Sequence, residues 1–357
     1  MWLDVVWILA GFVILVYGAD WLVEGASRLA LKLGMTPLVV GLTVVAFGTS
    51  APELAVSVTS AISGEADLAV GNVVGSNIAN ILLILGISAL VAPLAVHQQL
   101  IRLDVPIMVG ASVLFYVLAV DGELGLWDST LLFGSVVAYV AFLIRESRMG
   151  GNVIAPEYDA ELSEEKAEPG SMAANLGLVL LGLVGLVAGS RALVTGAVNI
   201  ATAFGVSELV IGLTVLAIGT SLPELATSVV AASRGQRDIA VGNVVGSNIF
   251  NLLSVLGLTG LASLGNVPVS AEALRVDIPV MLAVAIACLP IFRSGFVVSR
   301  INGALFLAGY GLYLGYLFML ARQSPMLELF QSAVLEGLLP LLVILTVVLF
   351  IRDLRRE

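Results

Sequence analysis

Two segments of this chain recur almost unchanged 171 positions further on. GLTVVAFGTSAPEL at 41–54 matches GLTVLAIGTSLPEL at 212–225 in 11 of 14 positions. AVGNVVGSNIAN at 69–80 matches AVGNVVGSNIFN at 240–251 in 11 of 12 positions. The sequence therefore predicts two copies of one structural unit, in which every element of one copy has a counterpart in the other.

The composition predicts that both copies lie in a membrane. Hydrophobic residues make up 59% of the chain and charged residues only 12%, far from the range of soluble domains. The long apolar runs predict an all-α polytopic membrane protein whose partner is the lipid bilayer, with no nucleic-acid ligand and no obligatory protein partner indicated. The first run is interpreted as a retained helix because no signal-peptide cleavage site follows it. Eleven spans are expected, at 3–29, 36–63, 68–93, 103–120, 125–144, 172–203, 207–232, 238–264, 276–292, 297–320 and 335–351.

The repeat divides the first ten spans into two five-span units. A weaker echo of RLDVP at 102–106 by RVDIP at 275–279 extends the match to the fourth and ninth spans. Five is an odd number, so the two units must enter the membrane from opposite sides. Such inverted repeats are typical of transporters, whose site lies near the membrane midplane. The expected regions are a first repeat at 1–144, an acidic cytoplasmic linker at 145–171, a second repeat at 172–320, and a linker with an extra C-terminal helix and basic cytoplasmic tail at 321–357.

The basic residues predict the orientation. With the N-terminus outside and eleven crossings, thirteen of the sixteen Lys and Arg residues fall on the cytoplasmic side and two fall outside. This bias favours that orientation, with the C-terminus cytoplasmic in the plasma membrane, the inner membrane of the cell. Arg191 falls within a span, at the place equivalent to Asp20. These two residues are expected either to pair with each other or to face an aqueous mouth.

Polar residues inside the spans form stripes at helical spacing. Their members present oxygen atoms and no sulfur or imidazole, which suits hard cations such as Ca²⁺, Na⁺ and Mg²⁺. The four stripes are Thr49, Glu53 and Ser57; Thr220, Glu224 and Ser228; Asn72, Ser76 and Asn80; and Asn243, Ser247 and Asn251. Packing between helices is an equally good interpretation for Asn72, Asn77, Asn243 and Asn248, and a better one for Ser57 and Ser228.

The prolines of the repeated motif offer further oxygen atoms. Pro52 and Pro223 have no N–H, so the carbonyls of Gly48 and Gly219 lose their helical partner. A broken helix that lines a cavity can offer such carbonyls to an ion. Because an ion-free pair of ionised glutamates would carry two desolvated negative charges, the site favours exchange over uniport.

The paired motifs resemble the alpha-1 and alpha-2 repeats of the calcium/cation antiporter superfamily, and most of all the compact prokaryotic sodium/calcium exchangers. The corresponding regions here are 41–86 and 212–257. The resemblance implies ten core helices, exchange of three Na⁺ for one Ca²⁺, and no cofactor. It also implies a ligand set of Glu53, Glu224, Thr49, Ser50, Thr220, Ser221, Ser76, Ser247, Asn80, Asn251 and the carbonyls of Ala46 and Ala217.

Departures from the family pattern bear on ion choice. Some relatives carry Asp at the positions of Asn80 or Asn251, and Asp at the latter is tied to K⁺ use, so the two asparagines argue against K⁺ transport. Exchange of H⁺ for Ca²⁺, or of other cations, remains a related alternative because glutamates can carry protons. An ion channel is a remote alternative, against which the inverted repeat argues. An enzyme is not expected, because the motifs supply serines without a histidine or lysine base.

Overall fold

The computed structural model describes residues 2–150, 171–204, 217–265 and 267–327, with isolated positions at 329, 332, 333, 337 and 344. Three expected features therefore fall outside the described residues. They are most of the acidic linker, the first half of the seventh span, and the eleventh span with the basic tail.

The described chain is built almost entirely of helices. In order, they are α1 (Trp2–Leu33), α2 (Pro37–Val40), α3 (Ala46–Thr49), α4 (Ala51–Ile62), α5 (Ala66–Ala79), α6 (Gly86–Val91), α7 (Val105–Ala119), α8 (Leu126–Gly150), α9 (Met172–Ala203), α10 (Ala217–Thr220), α11 (Leu222–Ser233), α12 (Arg237–Phe250), α13 (Leu256–Ala262), α14 (Ile278–Arg293) and α15 (Arg300–Ala321). Within the described ranges, π-helical stretches occur at Gly41–Val45, Asn80–Leu85, Leu100–Asp104, Asn251–Val255 and Ala273–Asp277. Helix α8 runs on past the expected start of the linker at residue 145.

Helix starts follow from local sequence. Thr36, Ser171 and Ser299 precede α2, α9 and α15, and each side-chain oxygen accepts a hydrogen bond from the backbone N–H three residues on, at 3.1–3.3 Å. Such caps satisfy an N–H group that the helix itself leaves without a partner. The sequence thus fixes where these three helices begin.

The helices confirm a membrane protein. Eight helical segments in the described residues are long and apolar enough to cross a bilayer. The bent pair Pro37–Thr49 and Ala51–Ile62, whose axes differ by 43°, raises the number to nine if it forms one span. The second broken span is described only from α10 onward, so the expected count of ten remains a prediction. The two most buried spans, Ala66–Val91 and Arg237–Ala262, lie at the centre of the bundle.

Helices α1 and α9 pack backbone to backbone. A methyl group on Gly18 would lie 2.7 Å from the Leu186 nitrogen, and one on Gly182 would lie 2.6 Å from the Leu22 nitrogen. Small residues allow this close approach between membrane helices, where lipid provides no hydrophobic drive for association. The two long helices, one from each half, therefore form a single packed pair.

Short strands join the halves as well. Strand β1 (Leu94–Ala95) pairs antiparallel with β4 (Val297–Val298), and β2 (Glu123–Leu124) pairs with β3 (Val267–Pro268). Each pair takes one strand from each half of the chain. These contacts link the loops of one half to the loops of the other.

The glycine contact between α1 and α9 can be tested by alanine substitution. Gly182→Ala should lower the thermal unfolding temperature of the detergent-solubilised protein by several degrees, because the added methyl group collides with α1. Gly177→Ala is the matched control in the same helix, where nothing lies within 4 Å of an added methyl group. It should be neutral or stabilising, since alanine is the better helix former by about 1 kcal/mol. Equal unfolding temperatures for the two variants would contradict the packing.

Candidate cation-binding site

The two repeated motifs each form a broken helix with a buried glutamate just after the break. Pro52 and Pro223 lie in the first turns of α4 and α11, and the residues before those turns, Ser50 and Ser221, have left the regular helical conformation with ψ of 3° and 7°. Glu53 lies in the first turn of α4 and is fully buried. Glu224 has the same position in α11 and the same burial. A buried acid in a membrane needs a compensating partner.

Hydroxyl groups of each half lie next to the carboxylate of the other half. The Ser221 hydroxyl from the second half donates to Glu53 Oε1 at 3.5 Å and lies 3.4 Å from Ser76 Oγ. In the opposite direction, Thr49 and Ser50 from the first half lie beside the Glu224 carboxylate. The two carboxylates are close enough for their charges to interact. One compact site is therefore built from both breaks.

Asn72 fixes the first break from the neighbouring helix. Its Nδ2 donates to the backbone carbonyl of Glu53 at 3.3 Å and to Ser57 Oγ at 3.1 Å. Its Oδ1 accepts from the Thr220 hydroxyl at 3.4 Å. The nitrogen and the oxygen of the amide are thus both used in hydrogen bonds that connect α4, α5 and α10. Packing is therefore the better interpretation of Asn72.

Asn243 makes the equivalent bonds in the second half. Its Nδ2 donates to the backbone carbonyl of Glu224 at 3.3 Å and to Ser228 Oγ at 3.0 Å. Its Oδ1 accepts from the Thr49 hydroxyl at 3.1 Å. Repeated hydrogen bonds at repeated positions show that both copies use the same local architecture around their glutamates. The packing role expected for Ser57 and Ser228 is confirmed, because each accepts a hydrogen bond from an asparagine of a neighbouring helix.

Two further expected ligands, Ser247 and Asn80, contact residues of the opposite half. Ser247 Oγ lies 3.4 Å from Thr49 Oγ1. Asn80 and Asn251 each begin a π-helical turn, and the Asn80 Nδ2 donates to Asn248 Oδ1 at 3.1 Å. A π turn inside an α-helix is frequent at functional sites, and the sequence pattern does not reveal it.

The Ala46 carbonyl, one of the two expected backbone ligands, accepts hydrogen bonds from its own segment of the chain. The Ala46 carbonyl accepts from the Thr49 hydroxyl at 3.3 Å and from the Ser50 N–H at 3.1 Å. Ala217 is the first described residue of α10. Their expected role toward Na⁺ therefore remains a prediction.

Several buried oxygen atoms of the site have no hydrogen-bond partner among the described residues. They are Ser50 Oγ, Glu53 Oε2, Asn80 Oδ1, Asn251 Oδ1 and both carboxylate oxygens of Glu224. Leaving such atoms unpaired in a protein interior is unfavourable. Because oxygen donors dominate and Ca²⁺ takes six to eight of them, the residues fit a hard cation as ligand.

The two ends of the site differ in exposure. Asn243 is fully buried, and next to it Gly246 packs so closely on the bent segment that an added methyl group would lie 2.7 Å from the Leu42 carbonyl oxygen. Asn72, the counterpart of Asn243 in the first half, is only half-buried. The repeated sequence thus takes two different arrangements within one molecule.

Two acidic residues, Asp20 and Asp104, have partners that the sequence pattern does not indicate. Asp20 pairs with Arg234, so the first of the two expected alternatives, a pair of Asp20 with Arg191, is wrong, and Arg191 is exposed. The fully buried Asp104 accepts from the Tyr139 hydroxyl at 3.0 Å. The RLDVP echo could have drawn attention to this aspartate, but its tyrosine partner has no sequence signal.

A membrane-embedded bundle with two broken helices and a buried set of oxygen ligands defines a cation transporter. Comparison with known proteins agrees. The family described as "Sodium/calcium exchanger protein" matches residues 3–145 and 174–319. The chain belongs to the sodium/calcium exchanger family, in its compact prokaryotic form, and is a multi-pass membrane antiporter.

Similar proteins extend over nearly the whole chain. Inner membrane protein YrbG of Escherichia coli (strain K12) is 36% identical over 90% of this chain and 97% of its own length. Sodium/calcium exchanger MaX1 of Methanosarcina acetivorans is 35% identical over 87% of this chain and 97% of its own length. A solved structure of the sodium-calcium exchanger NCX_Mj, soaked with zero Na⁺ and Ca²⁺, is 31% identical with a TM-score of 0.74, and covers 88% of this chain and 99% of that one.

The site predicts that Ca²⁺ stabilises the folded protein through the glutamates. Adding Ca²⁺ to the solubilised protein should raise its unfolding temperature, because a ligand that binds only the folded state stabilises it by mass action. Glu53→Gln should abolish this rise. The matched control is Asp104→Asn, which also turns a buried acid into an amide but lies outside the site, and it should keep the rise. Loss of the rise in the control alone would contradict the assignment.

Proposed function

We propose that this protein exchanges three Na⁺ for one Ca²⁺ by alternating access around the site between its two broken helices. The observation that carries the proposal is the meeting of Glu53 and Glu224, both fully buried, with carboxylate oxygens that lack protein partners among the described residues. The relative MaX1, named a sodium/calcium exchanger, supports the choice of ions.

In this proposal the two glutamates are shared ligands of Ca²⁺ and Na⁺. The hydroxyls, amides and carbonyls around them complete the coordination. These additional ligands are Thr49, Ser50, Thr220, Ser221, Ser76, Ser247, Asn80, Asn251, Ala46 and Ala217.

The charge of the site explains why it exchanges ions rather than releasing them singly. Two ionised glutamates carry two negative charges, which one Ca²⁺ or two Na⁺ neutralise, and a third Na⁺ leaves one positive charge. The neutral side chains of Asn80 and Asn251 add no further charge. Without any cation, the doubly charged site would resist the change of access through the membrane interior.

The proposed architecture is ten core helices in two inverted five-helix repeats, with an extra C-terminal helix. The N-terminus lies outside and the C-terminal tail in the cytoplasm of a cell whose plasma membrane holds the protein. The equivalent bonds of Asn72 and Asn243 support the repeat. The unequal exposure of these two residues supports alternating access, since exchanging the arrangements of the halves would expose the other end of the site.

Exchange of three Na⁺ for one Ca²⁺ moves one net charge per cycle. A charge that crosses the membrane potential gains about 2.3 kcal/mol per 100 mV. With the inside negative, inward Na⁺ and outward Ca²⁺ movement is favoured. The protein therefore extrudes Ca²⁺ in its ordinary direction.

Calcium uptake into proteoliposomes tests the proposal. Vesicles loaded with Na⁺ and diluted into Na⁺-free buffer at constant pH should take up Ca²⁺, and an inside-positive potential should accelerate the uptake. Vesicles loaded with K⁺ or choline are the control and should take up none. Glu53→Gln and Glu224→Gln should abolish uptake while the protein still inserts. Uptake that follows a pH gradient and ignores Na⁺ would replace the proposal by H⁺/Ca²⁺ exchange, and uptake without any counter-ion would indicate a channel.

A further inference from the structure

The hydroxyl of Ser190 makes an unusual bond for a serine in a membrane helix. It donates to the Gly219 carbonyl oxygen at 2.6 Å, from α9 to the end of α10. Serine and threonine in such helices commonly donate instead to the carbonyl four residues earlier, as Ser27 and Thr195 do here. Ser190 is buried, with 7% of its surface exposed. Its hydroxyl is therefore committed to a different helix.

The acceptor of this bond is the carbonyl that the break leaves without a helical partner. Pro223 lacks the N–H that the carbonyl of Gly219 would accept in a continuous helix. Gly219 also lies directly under α9, where an added methyl group would collide with the Val194 side chain. The sequence alone suggested that this carbonyl could face an ion. In the structure a neighbouring helix supplies its partner.

Among the described residues, the first half has no such bond. Pro52 likewise leaves the Gly48 carbonyl without its helical N–H partner. The position equivalent to Ser190 is Ala19, which has no hydroxyl. The two breaks also end differently. The Ser50 N–H bonds the carbonyl four residues back at 3.1 Å, whereas the Ser221 N–H bonds the carbonyl three residues back at 3.1 Å. The tighter ending occurs in the half that has the serine.

The second break carries hydroxyls that face the opposite half. Ser221 Oγ donates to Glu53 Oε1 at 3.5 Å, and Thr220 Oγ1 donates to Asn72 Oδ1 at 3.4 Å. Both residues follow Gly219 directly, so the position of its carbonyl controls where their side chains point. Fixing one peptide of the break therefore fixes two groups at the Glu53 side of the site.

We propose that Ser190 is a positioning residue for cation binding. Its hydroxyl holds the Gly219 peptide so that Thr220 and Ser221 are preorganised toward Glu53, and it withdraws that carbonyl from the ion. Through the close packing of α9 on α1, the bond also links the site to the helix pair that crosses both halves. The inference rests on the proposed function in that the bound ion is taken to be Ca²⁺.

Calcium binding to the solubilised protein, followed by calorimetric titration, tests this role without relying on Na⁺ coupling. Ser190→Ala should raise the dissociation constant for Ca²⁺ by roughly three- to tenfold, the range expected for one neutral hydrogen bond. Ser190→Thr keeps a hydroxyl at this position and should leave the dissociation constant near that of the native protein. Thr195→Ala removes a hydroxyl that donates within the same helix, to the Arg191 carbonyl, and is the matched control, with binding unchanged.

A purely structural role predicts a different pattern. Ser190→Ala would then lower the unfolding temperature measured without Ca²⁺ while the dissociation constant stayed the same, and this result would overturn the proposal. Failure of Ser190→Thr to restore binding would overturn it as well. In proteoliposomes, Ser190→Ala should raise the half-saturating Ca²⁺ concentration while leaving the maximal uptake rate near the native value. Absence of Na⁺ dependence in the native protein would refute the exchange mechanism but leave the binding comparison intact.

Discussion

The structure depends on placing two carboxylates where the membrane interior makes charge unfavourable. Glu53 and Glu224 are both fully buried, and no lysine or arginine pairs with them in the described residues. Their burial is tolerable only if a bound cation or a proton neutralises the negative charge. Neighbouring features serve that requirement, including the broken helices and the hydroxyl groups that each half extends to the other half's acid.

The same requirement explains why the helices around the site are irregular. A regular α-helix uses all its backbone groups internally, so it offers an ion only side chains. Proline at positions 52 and 223 interrupts this, and the π turns that begin at Asn80 and Asn251 rotate two more amide side chains relative to a regular helix. Such distortions are stable here because α5 and α12 lie at the centre of the bundle, where neighbouring helices satisfy much of the freed polarity.

Much of this arrangement could be predicted from the sequence. The apolar runs locate the helices, and the repeated Thr–Ser–x–Pro–Glu order places both glutamates at equivalent breaks that the structure brings together. These features depend on neighbouring residues in the chain, so hydrophobic periodicity and the missing N–H of proline are sufficient to predict them. The partners of Ser190 and Asp20 were not predictable, because they depend on how separate helices are rotated against each other. The π turns were not predictable for another reason. No residue type encodes them, because they arise where packing forces an extra residue into a helical turn.

The ion pair of Asp20 with Arg234 lies outside the site, at the contact of α1 with the turn after α11. Counting along the repeat, the counterpart of Asp20 is Arg191 and that of Arg234 is Ser63, so the exchanged arrangement of the halves cannot form the same pair. The two copies are alike in sequence at the candidate site and unlike at this contact between them. An attraction available to only one arrangement lowers its free energy relative to the other. In the proposed exchange cycle, this peripheral pair favours the described arrangement of the halves over the exchanged one by up to about 1 kcal/mol, the usual contribution of a partly exposed ion pair.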